Sequence, residues 1–148
     1  MSIRSVIVHD LSQARAAAAQ AIAIGAPLEL RSPPDGAAII GPAVFKAIAD
    51  DLAQTHPGAV STMILDCGTK AGLAMAALRQ GCKDICVDVP TKTRAKIEAM
   101  AQAQSARLHG PVEIALDLAA AADSRTSNDQ GRMKALLEKF IHGDACDD

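Results

Sequence analysis

A repeated alternation constrains this chain more than any other feature. Short, apolar, β-branched runs are separated by longer stretches with helical periodicity. Ser5-Val6-Ile7-Val8, Leu28-Glu29-Leu30-Arg31, Thr62-Met63-Ile64-Leu65 and Ile85-Cys86-Val87 read as strands, and Arg107-Leu108-His109 as a fifth short one. The segment from Val112 to Leu118 has alternating large apolar residues and reads as a sixth, although the alanines that follow pull toward helix. Between the strands, Ser12 is placed to cap a helix running from Gln13 to about Ile24, with Gly25 at its end. Ser32-Pro33-Pro34-Asp35-Gly36 reads as loop, because its prolines forbid regular pairing. Pro42 suits the first turn of a second helix, whose stripe is Val44, Phe45, Ile48 and Leu52 and whose end precedes His56-Pro57-Gly58. A third helix spans about 71–80, closed by Gly81. A fourth, capped by Thr91 or Thr93, reaches about Ala106.

Strands joined through helices require crossovers, and crossovers make neighbouring strands parallel. The expected fold is therefore α/β: a three-layer, doubly wound, mostly parallel sheet of five or six strands, flavodoxin- or Rossmann-like. A flavodoxin-like order would put the first and third strands side by side. The alternative is a partial (βα) barrel, open or completed by a second copy, because five or six units cannot close eight positions. Residues 1–122 form this domain, 123–130 a polar linker, and 131–143 an amphipathic helix. A loose acidic tail follows at 144–148. The helix stripe Met133, Leu136, Leu137 and Phe140 packs on the same domain or on a partner subunit, giving a homodimer.

Composition removes several classes of function. The 148 residues include only two aromatics, Phe45 and Phe140, and the net charge is -2. Stacking platforms and a basic field are both missing, so nucleic acid is not an expected partner. Met1-Ser2-Ile3-Arg4 lacks the apolar core of a secretion signal. No run is long enough to cross a bilayer, so a cytoplasmic protein without membrane contact is expected. Cys67, Cys82, Cys86 and Cys146 form no CxxC pair and read as reduced thiols. No GxGxxG follows the first strand. The Gly36-to-Gly41 spacing is followed by Pro42-Ala43, where a phosphate loop needs Lys and Ser or Thr.

In open α/β sheets, ligands bind outside the carboxyl ends of the strands. That rule selects His9 and Asp10 after the first strand, Arg31 and Ser32 after the second, Asp66 to Lys70 after the third, Asp88 after the fourth and His109 after the fifth. In the turn Asp66-Cys67-Gly68-Thr69-Lys70, the backbone of Gly68, the Thr69 hydroxyl and the Lys70 charge are suited to a phosphate or carboxylate at a helix start. The simpler role is structural, with Asp66 or Thr69 capping the helix and Gly68 relieving the turn. Cys67 is a candidate nucleophile if its thiol is activated, and a small buried residue otherwise. His9 and His109 are candidate general bases. Asp10, Asp66 and Asp88 are candidate Mg²⁺ ligands or plain caps, and no ligand spacing among them is diagnostic of a metal. The functional expectation is binding of, and chemistry on, a small anionic or phosphorylated metabolite, with the cofactor unspecified. The alternative is a non-enzymatic scaffold assembling through its C-terminal helix.

Overall fold

The computed structural model describes residues 5–111 and 115–117, with Ala135 and Glu138 as isolated helical, exposed positions. The expected linker at 123–130 and the dimer stripe Met133, Leu136, Leu137 and Phe140 lie outside the described residues. The fold is α/β, with six strands all parallel and layered with helices in the general manner of Rossmann- and flavodoxin-like proteins.

β1 is Ser5–Ile7, and α1 (Leu11–Ile24) follows it. The cap of α1 is Asp10 rather than Ser12, its Oδ1 accepting the Gln13 N–H at 2.8 Å. The helix therefore starts two residues earlier than expected. Gly25 closes it at φ 74, a left-handed conformation that favours glycine. β2 is Leu28–Arg31. A short helix, α2 (Gly36–Ile39), stands at the end of the segment read as loop. α3 is Pro42–Thr55, with Pro42 in its first turn. It buries Phe45, Ile48 and Leu52, but Val44 is 54% exposed and lies off the stripe. β3 (Val60–Asp66), α4 (Ala71–Arg79) and β4 (Asp84–Cys86) follow. α5 (Thr91–Ala103) has Pro90, not a threonine, at its cap position and stops three residues short of Ala106. β5 is Arg107–His109 and β6 is Ala115–Asp117, so the described part of the ambiguous sixth segment is a strand.

The strand order is β5-β4-β3-β2-β1-β6. β1 thus lies between β2 and β6, not beside β3 as a flavodoxin-like order requires. From β1 to β5 every crossover steps in one direction. Right-handed crossovers that all step one way put their helices on one face. The packing agrees. Val6, Leu28 and Leu30 meet Ala14, Ala17, Ala18 and Ala21 of α1 and Ile48 and Leu52 of α3. Leu65 and Ile85 meet Ala74, Ala77 and Leu78 of α4 and Ile97 and Ala101 of α5. The alanine stripe of α1 brings that helix close to the sheet. Each fully buried Leu or Ile contributes about 1.5–3 kcal/mol.

Strand alternation assigns the other face to Ser5, Ile7, Glu29, Arg31, Thr62, Ile64, Asp66, Asp84, Cys86, Arg107, His109 and Asp117. This face is concave, for two reasons. Arg31 Nη1 donates to the Gly110 carbonyl at 3.1 Å, although β2 and β5 are three steps apart. In a flat sheet that is about 14 Å, beyond the reach of an arginine side chain. Five residues separate His109 from Ala115, and those six Cα-to-Cα steps span at most about 20–22 Å. A flat sheet would hold β5 and β6 about 24 Å apart before any allowance for the offset along the strands. The sheet therefore curls, as in the (βα)-barrel alternative, and brings its two edges toward each other across the Arg31 side. Among the described residues no helix is long and apolar enough to cross a membrane.

Candidate functional site at the carboxyl rim of the concave face

Charged residues in a central parallel strand face the core and need partners. β2 contributes Glu29 and Arg31, whose side chains are only 13% and 11% exposed. Arg31 Nε donates to Glu29 Oε2 at 3.1 Å, and the Ser5 hydroxyl donates to the same carboxylate oxygen. The guanidinium also lies by Cys86. Burial, and then the charge of Asp66, push the Cys86 thiol up; the nearby Arg31 draws it partly back. Arg31, Asp66 and Cys86 are thus close neighbours, near the carboxyl ends of β2, β3 and β4.

Two histidines flank this centre, each held by a carboxylate. His109 Nε2 lies 2.7 Å from Asp84 Oδ1, which also faces Arg107 Nε at 3.7 Å. Asp84 is 12% exposed and His109 is 22% exposed. At the other edge His9 Nε2 lies 2.7 Å from Asp117 Oδ1. Asp117 pairs in register with Ile7, so His9, two residues further along, projects to the same concave side. A carboxylate on one ring nitrogen fixes the orientation of an imidazole and leaves the other nitrogen for a proton.

The residues expected from sequence separate into two groups. His9, Asp66 and His109 share the concave side at the carboxyl ends, together with Arg31. The others do not join them. Asp10 is occupied in capping α1. Cys67 is fully buried among the helix-side residues, and burial, with Asp66 adding to it, pushes its thiol up to about 12. That opposes the activation a nucleophile needs. Gly68 packs its Cα against the Asp35 carboxylate at φ 58, and Thr69 and Lys70 stand exposed on the turn. Asp66 does not cap α4: its Oδ1 accepts the N–H groups of Gly68 at 2.7 Å and Asp35 at 3.3 Å, tying two loops together. The cap position belongs to Lys70, which makes no side-chain capping bond. Among the described residues no three His, Cys, Asp or Glu side chains are arranged to hold a metal ion, so Asp10, Asp66 and Asp88 do not form a Mg²⁺ cluster.

Glu29, Asp84 and Asp117, which the strand-end rule did not select, complete the site. Their signal in sequence is weak. Glu29 and Arg31 alternate with leucines, a pattern that also fits a strand with one face in water. Asp84 precedes an apolar strand, where it reads as a turn residue. No family model, curated protein or solved structure matches the chain.

Proposed function

We propose that the chain binds a small anionic or phosphorylated metabolite on the concave face at the carboxyl ends of the strands. In this reading Arg31 meets the ligand's charge, and His9 and His109 move protons on it. The observation that carries the reading is a nearly buried guanidinium between two carboxylate-held imidazoles on one side of one sheet. A guanidinium in a site of low exposure is suited to carboxylates and phosphates, because its planar fork matches their oxygens. An imidazole oriented by a carboxylate is suited to general acid–base work near neutral pH. Lys70 contributes only at the exposed rim.

A thermal-shift screen of phosphorylated and carboxylate metabolites tests this. A ligand at a hundred times its Kd stabilises the folded state by about 2.7 kcal/mol. Arg31→Gln is expected to abolish the shift, His109→Gln to leave binding and remove turnover, and Lys70→Ala to weaken the shift only modestly. Equal shifts in the Arg31→Gln and parent proteins would sink the assignment. The scaffold alternative draws support from Ile39 and Val44, 71% and 54% exposed, the latter lining a groove with Leu11 and Ile48. Under that reading a chain ending before Met133 loses self-association while its fold persists.

A further inference from the structure

At the opposite end of the molecule, around the amino ends of β3 and β4, lies a cavity of about 350 Å³. Phe45, Ala49 and Leu52 of α3 and Val60 and Met63 of β3 give it an apolar wall. Where α1 meets the sheet the packing is tight: Ala14, Ala17 and Ala18 are fully buried. The hollow lies on the side of α3 that faces β3 and β4, away from that alanine-packed contact. Protein interiors are close-packed, and a hollow of this size with apolar walls matches the dimensions of small-molecule sites.

Two lysines border the mouth. Lys46 is held in place from two sides. Its Nζ lies 3.0 Å from both carboxylate oxygens of Asp50, and its stem lies over Gly81. A Cβ at position 81 would fall 2.8 Å from Lys46 Cε, and Gly81 has φ +90. Only glycine accommodates both that conformation and that approach. Lys83, the second lysine, donates to the carbonyl of Gln104 at 2.7 Å. No carboxylate pairs with it among the described residues. Asp84 also borders the cavity, but its carboxylate is taken by His109 and Arg107. The cavity thus combines an apolar body with an ammonium group that no carboxylate of the described residues pairs.

We infer that this cavity is a second ligand site, centred at the amino ends of β3 and β4 and away from Arg31, for a small amphipathic carboxylate with a compact apolar body. The apolar part sits against Phe45, Leu52 and Met63, and the carboxylate meets Lys83 and shares Lys46 with Asp50. The inference does not depend on the reading of Arg31.

The test is a titration of the full chain with phenylacetate and hexanoate, and with the neutral 2-phenylethanol and 1-hexanol, followed by the methyl resonance of Met63. Saturable shifts are expected, with the carboxylates binding at least about fivefold more tightly than the alcohols, as charge-assisted contacts imply. Lys46→Gln combined with Lys83→Gln removes that preference and leaves apolar binding. Ala49→Phe fills the hollow and weakens every probe at least about tenfold, by overpacking. Absence of saturation below about 10 mM would overturn the inference, since small-molecule sites bind more tightly than that. Unchanged affinity in Ala49→Phe, or alcohols binding as well as carboxylates, would overturn it too. Arg31→Gln leaves all four titrations unchanged, which separates this site from the concave one.

Discussion

Gly36→Ala tests how the carboxyl rim is held together. Gly36 is buried at the start of α2. A Cβ there would run into both the Oγ and the Cβ of Ser32, deep inside van der Waals contact. Ser32 has little freedom to yield. It is 3% exposed, its N–H donates to the Ile64 carbonyl at 3.0 Å, and its Oγ accepts the Asp66 N–H at 2.9 Å. The added methyl must push Ser32 off β3. Overpacking a tight site costs about 1–3 kcal/mol. Losing the acceptor for the Asp66 amide costs about 1–3 kcal/mol more. The expected total is about 2–6 kcal/mol, or a fall in Tm of about 5–20 °C for a domain of this size. Urea unfolding followed by circular dichroism gives the free energy directly, with an unchanged slope if only the native state is affected. Ser32→Gly removes both offending atoms, so in that background Gly36→Ala should cost less than about 1 kcal/mol, a clear failure of additivity. A Gly36→Ala protein within about 0.5 kcal/mol of the parent, or strict additivity with Ser32→Gly, would refute the idea that Ser32 is the rigid link between the β2 and β3 loops.

Three further outcomes are expected. Cys67 has a folded-state pKa of about 12 against an ordinary 9.0, so the unfolded chain binds fewer protons above pH 9. The contribution is complete below about pH 9 and is lost as pH rises toward 12; Cys82 and Cys86 act in the same direction. Urea midpoints should fall over that range, less so for Cys67→Ala, and native protein at pH 7.5 should resist iodoacetamide at Cys67. Ile85→Ala, at a fully buried site between two sheet neighbours, should cost about 2–5 kcal/mol in urea unfolding. Val44→Ala, at an exposed site, should stay within about 0.5 kcal/mol. Asp10→Ala should cost about 0.5–2 kcal/mol through the lost cap, whereas Ser12→Ala should be nearly silent. Equal effects of the two would remove Asp10 from the capping role.

Much of the fold was readable along the chain. Strand runs such as Leu28–Arg31 and Arg107–His109 have the boundaries expected of them, because local composition and punctuation agree there. The deviations have local causes. Two cap-forming residues on either side of Leu11, Asp10 and Ser12, compete for one helix start, and the choice depends on whether Leu11 packs as part of the helix. α2 lies behind Pro33-Pro34, and Asp35 precedes it in a left-handed conformation at φ 58, so no periodicity announces it. Val44 adjoins Phe45 in sequence, but only one of the two faces the sheet.

The site was less readable, because its composition depends on lateral strand order. Alternation shows which residues of a strand share a side, but not which strands lie together. His9, Asp66 and His109 were expected at one rim from the parallel-sheet rule alone. Arg31 becomes their centre only because β2 stands between β1 and β3 and the sheet curls over it. One clue to that curvature was present in the chain length. Parallel neighbours need a dozen or more residues to cross over, yet only five separate His109 from Ala115. So short a link excludes a helical crossover and an adjacent parallel pairing of β5 with β6. The parallel pairing of β6 with β1 at the far edge then means that the sheet bends enough for five residues to span it, which is the geometry that gathers two histidine–carboxylate pairs and one arginine into a single concavity.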